Sequence, residues 1–214
     1  MKDTSTQIIA SSQSDLVLLN EATGGPLDML LSDVRACRVC HDELPLGANP
    51  VVRANKKAKI LIIGQAPGKK VHETSIPWND PSGDRLREWM GLKPKDFYDE
   101  EKVAIMSMGF CYPGKDKTGD LPPRKECAEL WHEKILALLP NIQLTLFVGN
   151  CAQSYYLKDG YKSLSERVKH WEEYLPEKLP LPHPSPRNRF WLKKYSWFER
   201  EVVGKLQKRV RDIV

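Results

Sequence analysis

Long apolar runs are missing from this sequence. None approaches the ~18 residues that a membrane-spanning helix needs. The longest, Lys59–Gly64 and Leu144–Gly149, are of strand length. Residues Met1–Gly25 hold no extended apolar segment of the secretory kind, so export is not expected. Internal repeats are absent. So are two common phosphate signatures: the turn Gly64-Gln-Ala-Pro-Gly68 has neither the dinucleotide glycine spacing nor the Gly-Lys-Ser/Thr ending of a P-loop. What is present is ordinary globular material. With 214 residues, 41% hydrophobic and 29% charged, the chain fits one domain and not two.

The charge is unevenly spread. The net charge is +5. From Arg187 to Val214 there are nine Lys/Arg against three Asp/Glu, whereas the remaining residues hold 24 basic and 25 acidic side chains. The whole positive excess therefore lies in the last eighth of the chain. Such a stretch suits a polyanionic partner. A solvated helix face with extra lysines would read the same way.

Residues 1–26 are rich in Ser, Thr and Gln, end in Gly24-Gly25-Pro26, and read as a flexible tail with one helical turn around Leu16–Leu19. A domain over 27–214 follows. Helical periodicity covers Leu27–Arg35. Buried strands are expected at Lys59–Gly64, Val103–Met108 and Leu144–Gly149, and a fourth, edge-like one at Leu179–Pro182, where prolines exclude a central position. Helices are expected at Asp84–Met90 with Ser82 as cap, Arg124–Leu139, Ala152–Leu157, Leu164–Tyr174 and Trp197–Val210. Strands alternating with helices predict a three-layer α/β/α fold around a mostly parallel four-stranded sheet. Ligands bind such sheets beyond the carboxyl ends of the strands. Gln65–Gly68, the Cys111 loop and His183 all fall there, which predicts one site built from the three.

Three motifs carry candidate chemistry. The Gly64–Gly68 turn exposes backbone N–H groups close to the chain, though any strand needs some turn. His183-Pro-Ser-Pro186 holds a histidine on a rigid loop as an acid, or as a donor to a developing anion. Arg187-Asn-Arg-Phe-Trp191 then mixes arginines with aromatics, a pattern suited to phosphates and stacked bases. The third motif is the cysteine set. Cys37-x2-Cys40 and Cys111-x15-Cys127 supply four thiolates for an iron–sulfur cluster or a zinc ion, with buried free thiols as the plainer alternative. Cys151 reads as packing.

In their order these motifs resemble the uracil-DNA glycosylase superfamily, most closely its family four iron–sulfur enzymes of bacteria and archaea. Gly64-Gln-Ala-Pro-Gly68, Pro77-Trp78 at the family spacing, Cys111 and Cys127, and His183-Pro-Ser-Pro186 carry the likeness, with Cys37 and Cys40 upstream where that family has its first pair. The resemblance covers about Leu27 to Val214. It implies a DNA glycosylase that flips uracil or another deaminated base from DNA and hydrolyses its N-glycosidic bond, for base excision repair. It implies Gln65 and His183 as catalytic residues, with Gly64, Ala66, Trp78 and Ser107 around the base. DNA contacts would come from Ser185, Arg187, Arg189, Phe190 and Lys193, with Lys194 beside them and Phe190 or Trp191 as wedge. Cys37, Cys40, Cys111 and Cys127 would hold a [4Fe–4S] cluster, with zinc as the lesser alternative. A monomer in the bacterial cytoplasm, associated with the nucleoid and with no membrane, is the implied setting.

The chain departs from the family at points that bear on rate. Gln65 replaces a glutamate, Ala66 stands where the most active relatives have an aspartate, Ser107 replaces a uracil-reading asparagine, and Arg187 replaces the intercalating leucine. His72 and Glu73 could supply acid–base chemistry or be solvated loop residues. These departures keep a second function open: a catalytically weak or inactive protein that binds DNA or abasic sites on the same fold. A metal-stabilised structural protein is a third.

Overall fold

The computed structural model describes residues 24–117 and 119–214. The expected tail helical turn at Leu16–Leu19, and all of the tail before residue 24, lie outside the described residues. Four strands form one sheet: β1 (Ile60–Gly64), β2 (Val103–Ser107), β3 (Leu144–Val148) and β4 (Lys178–Leu181). Their order is β2-β1-β3-β4, and every pairing is parallel. The three-layer α/β/α reading therefore holds, with β4 at an edge.

The sheet is buried on both faces, as its unbroken apolar strands require. Ile60, Ile62, Ile105, Leu146 and Leu179 point to one side, against α3 (Pro81–Met90) and α9 (Val203–Ile213). There Leu86, Trp89, Phe198 and Leu206 close the core, with Phe198 edge-on to Trp89 at 4.9 Å. The alternate residues Leu61, Ile63, Ala104, Met106 and Phe147 meet α1 (Pro26–Ala36) and α5 (Glu133–Ala137) on the other side. The remaining helices are α2 (Lys69–Thr74), α4 (Pro94–Phe97), α6 (Asn150–Tyr156), α7 (Leu164–Lys169) and α8 (Arg189–Lys194).

Three expected boundaries shift, each for a local reason. The cap of α3 is Asp80 rather than Ser82: its carboxylate accepts from Gly83 N–H at 2.8 Å, and Pro81 supplies the pre-set first turn. The expected helix over 124–139 starts at Glu126, after the loop in which Arg124 pairs with Glu43 and reaches forward to Glu126. It turns π-helical over Ala128–His132. The expected helix to Tyr174 stops at Lys169, and a short 3₁₀ turn over Trp171–Glu173 follows. Trp171 is buried there against the sheet.

The C-terminal basic stretch divides. Arg189, Lys193 and Lys194 lie on α8, next to the His183 loop. The basic residues of α9 run toward the opposite end of the sheet, where Arg209 donates to the carbonyls of Gln143 and Pro176, just before β3 and β4.

Candidate active site

Two cavities lie beyond the carboxyl ends of the strands. The first, of about 130 Å³, is lined by Ala66–Gly68 after β1, by Pro77, Trp78, Asp80 and Ser82 before and in α3, and by Ser107 at the end of β2. Asp120, His183, Ser185 and Arg187 complete its polar wall. Gly64 and Ser107 are register partners, so the two strand ends present them side by side. A Cβ at Gly64 would stand 3.0 Å from the Trp78 ring and 3.4 Å from Ser107 Oγ, so only glycine lets that ring approach the strand.

Trp78 is held in the left-handed region, at φ 56°. That is a costly conformation for a bulky side chain. Three contacts fix it. Arg87 Nη1 donates to the Trp78 carbonyl at 3.2 Å, and Tyr98 hydroxyl donates to the same oxygen at 3.4 Å. Gly83 passes beneath, where a Cβ would fall 1.7 Å from that carbonyl. The indole then faces His183, with ring centroids 5.7 Å apart.

The His183 loop is equally constrained. Gln153, fully buried on α6, donates through Nε2 to the carbonyls of Phe147 and Leu181 and ties β3 to β4 where the loop begins. Asn188 donates to the His183 carbonyl at 2.7 Å. Ser185 N–H donates to His183 Nδ1 at 3.2 Å. A backbone N–H can only donate, so Nδ1 carries the lone pair and Nε2 the proton. Burial pushes the imidazole below its ordinary value, opposed by the carboxylates of Asp80 and Asp120. His183 is thus a neutral ring with one N–H to offer.

The expected residues do not all converge. His183, Trp78, Ser107, Ala66, Ser185 and Arg187 line the cavity, but Gln65 does not, and Gly64 contributes only through the space it leaves. The expectation that the Cys111 loop joins this site is met through Asp120 and not through Cys111. Glu73 points away and pairs with Lys69 at 3.7 Å, both exposed. His72 holds Asn49 through its backbone carbonyl. Neither lines the cavity. Asp80 and Asp120 do, and both went unnoticed in sequence. The Asp80-Pro81 pair preceding a helical stretch was the available signal for the first.

Arg187 stands over the 114–121 loop, its guanidinium so close to Gly119 that a Cβ there would lie 2.5 Å away. On α8 the two aromatics separate. Phe190 is 71% exposed with the Arg189 guanidinium 4.9 Å over its ring. Trp191 donates to Ser165 Oγ at 2.9 Å and packs on Tyr195 and Phe198.

The second cavity gathers the four expected thiols. Cys37, Cys40, Cys111 and Cys127 line it together with Val39, Leu44, Ala48, Pro50, Phe110 and Trp131, and Arg124 closes one side. Phe110 N–H donates to Cys127 Sγ at 3.4 Å. Burial pushes the Cys111 thiol up to about 12 and Cys127 up to about 11. Among the described residues, no three His, Cys, Asp or Glu side chains are set as ligands to a metal ion. The donor chemistry still fits an iron–sulfur cluster: four sulfurs, an apolar wall and a backbone N–H to sulfur. Cys151 lies apart, packed against the core on α6.

The uracil DNA glycosylase superfamily model matches residues 52–207, well over half of the chain. The chain belongs to that superfamily. Its match spans all four strands and every residue lining the first cavity except Val51. Cys37 and Cys40 fall outside the matched residues.

His132 links the two cavities. It is 2% exposed, ends the π-helical turn that follows Cys127, and sits 3.1 Å from the Ser107 carbonyl through Nε2. That oxygen only accepts, so Nδ1 takes the Tyr156 hydroxyl proton at 2.6 Å. A π turn inserts one extra residue per turn and so re-aims side chains. Here Cys127 lines the thiol cavity while His132, five residues on, reaches the backbone at the end of β2. Burial lowers the His132 ring to about 4. The unfolded chain therefore takes up this proton first as pH falls through about 6.5, and stability rises with pH across the window from about 4 to 6.5. Chemical denaturation between pH 7 and pH 4 should show a loss of about 3 kcal/mol from this group. His132→Gln should be less stable at pH 7 but flatter across that window. An equally steep profile in the variant would assign the loss elsewhere.

Proposed function

We propose that this protein is a DNA glycosylase that hydrolyses the N-glycosidic bond of uracil, or of another deaminated base, in DNA. The observation that carries the reading is His183. It is neutral, its proton is fixed on Nε2 by the Ser185 N–H, and it lies beside Trp78 on the wall of a cavity of about 130 Å³ in a superfamily member. A flipped base would stack on the Trp78 indole. As the bond to the sugar breaks, charge develops on the departing base, and the His183 N–H would donate to it. Ser107 Oγ, both donor and acceptor, would meet the base edge with less discrimination than an amide. Strand scission after alkali treatment of a labelled uracil-containing strand is the expected result. His183→Ala should slow the single-turnover rate by about 10²–10³, the usual cost of one donor to a developing anion. No excision by the wild type, with retained affinity for abasic DNA, would instead establish the binding-protein reading that Gln65 and Arg187 keep open.

DNA would lie across α8 and the Arg187 loop. Arg189, Lys193 and Lys194 supply phosphate contacts, and Phe190, the exposed aromatic, is the wedge for the vacated stack. Phe190→Ala should slow excision from duplex by about 10-fold while sparing single-stranded substrate, because only a duplex must be unstacked. Equal losses on both substrates would refute the wedge.

Cys37, Cys40, Cys111 and Cys127 would hold a [4Fe–4S] cluster whose part is structural, tying the segment after α1 to the loop after β2. Protein purified without oxygen should contain about four iron and four sulfide per chain. One zinc instead would keep the structural role and change the cofactor; neither metal nor sulfide would remove both.

A further inference from the structure

The water that attacks the sugar needs a group to take its proton. Gln65 cannot accept one and does not line the cavity, Ala66 has no polar side chain, and Glu73 is paired with Lys69 away from it. Two carboxylates do line the cavity, Asp80 and Asp120. They differ in how they are held. Asp120 is exposed, on a loop closed by its bridge to Lys115. Asp80 is half-buried and clamped: Oδ1 accepts from Gly83 N–H at 2.8 Å, which leaves Oδ2 without a hydrogen-bond partner among the described residues. It enters the cavity from the same short segment as Trp78, whose carbonyl is locked by Arg87 and Tyr98. A carboxylate with one oxygen anchored and the other open, on a rigid segment beside the base platform, is built to orient a water.

We propose that Asp80 is the catalytic carboxylate of this protein, binding the attacking water through Oδ2. This rests on the glycosylase reading. In the step, the sugar C1′–N bond breaks and its electron pair leaves with the base, whose anion His183 Nε2–H holds. The water oxygen bonds to C1′, and the water proton passes to Asp80. That proton later leaves with the base, which restores the carboxylate. The negative charge of Asp80 also favours the positive sugar that forms between these events. A charged group therefore takes a place that the sequence motif leaves to an amide.

The test uses the full-length protein and a labelled uracil-containing duplex. Asp80→Asn keeps the helix cap, since its amide oxygen can accept from Gly83 N–H, but it cannot take a proton. Asp80→Ser is a second capping substitution without charge. Single-turnover excision should fall by about 10² in both. Thermal unfolding should stay close to wild type, and DNA affinity should be equal or tighter, because a negative charge near the phosphates is gone. Asp80→Glu should recover part of the rate. Rates within about threefold of wild type for Asp80→Asn and Asp80→Ser would overturn the proposal, as would a larger loss from Asp120→Asn. Wild-type protein that excises nothing would overturn the glycosylase reading itself, whereas active wild type with an indifferent Asp80 overturns this inference alone.

Discussion

A buried arginine holds the site in shape. Arg87 is 9% exposed, pairs with Asp84 at 2.6 Å, and spends Nη1 on the Trp78 carbonyl. Its guanidinium also lies over the rings of Phe97 and Tyr98. A planar cation with several donors can satisfy a carboxylate, a carbonyl and two aromatic faces together, which a lysine cannot. Without that grip only the longer Tyr98 hydrogen bond and the close pass of Gly83 would hold Trp78 in a left-handed conformation that costs about 1–3 kcal/mol. The indole beside His183, the turn into Asp80 and the start of α3 all depend on it. The strain sits at the cavity, and the residue that sustains it is in the core.

The fold was legible because its signals are collective. Five consecutive buried residues in β1, and similar runs in β2 and β3, need no partner to be read as central strands. Pro180 correctly demoted β4 to an edge. His183 and Trp78 were legible from motif order. What escaped were residues whose importance is a matter of placement. Asp80 looks like a surface aspartate, and its role as cap and cavity wall depends on a turn whose geometry Gly83 and Arg87 set from a distance. His132 sits in a helix whose periodicity a π turn has shifted, so no spacing rule would find it. Gln65 differs again: it stands inside a recognisable motif, yet it is not among the residues lining the cavity.

The two cavities share more than proximity. Ser107 ends β2 and lines the first, and Phe110 and Cys111 lie three and four residues on and line the second. Phe110 stacks on His132 with ring centroids 5.4 Å apart, while His132 grips the Ser107 carbonyl. A short rigid stretch therefore serves both, and displacement of the thiol-lined wall would reach the wall that holds Ser107 through few intermediates.

The edges of the sheet carry a last consequence. The carbonyls of Glu177 and Leu181 accept from Thr145 and Gly149, so the intervening positions 178 and 180 turn their backbone groups outward. One of those positions is Pro180, which has no N–H to offer. At the other margin Arg53 exchanges both backbone hydrogen bonds with Ile105, and Val51 donates to Phe110, so that edge is already covered by the chain itself. If DNA lies across α8, as proposed above, neighbouring copies of the protein bound along one polyanion would meet at high local density. Closing both margins of the sheet denies those neighbours a strand to extend, so crowding along one DNA molecule need not become aggregation.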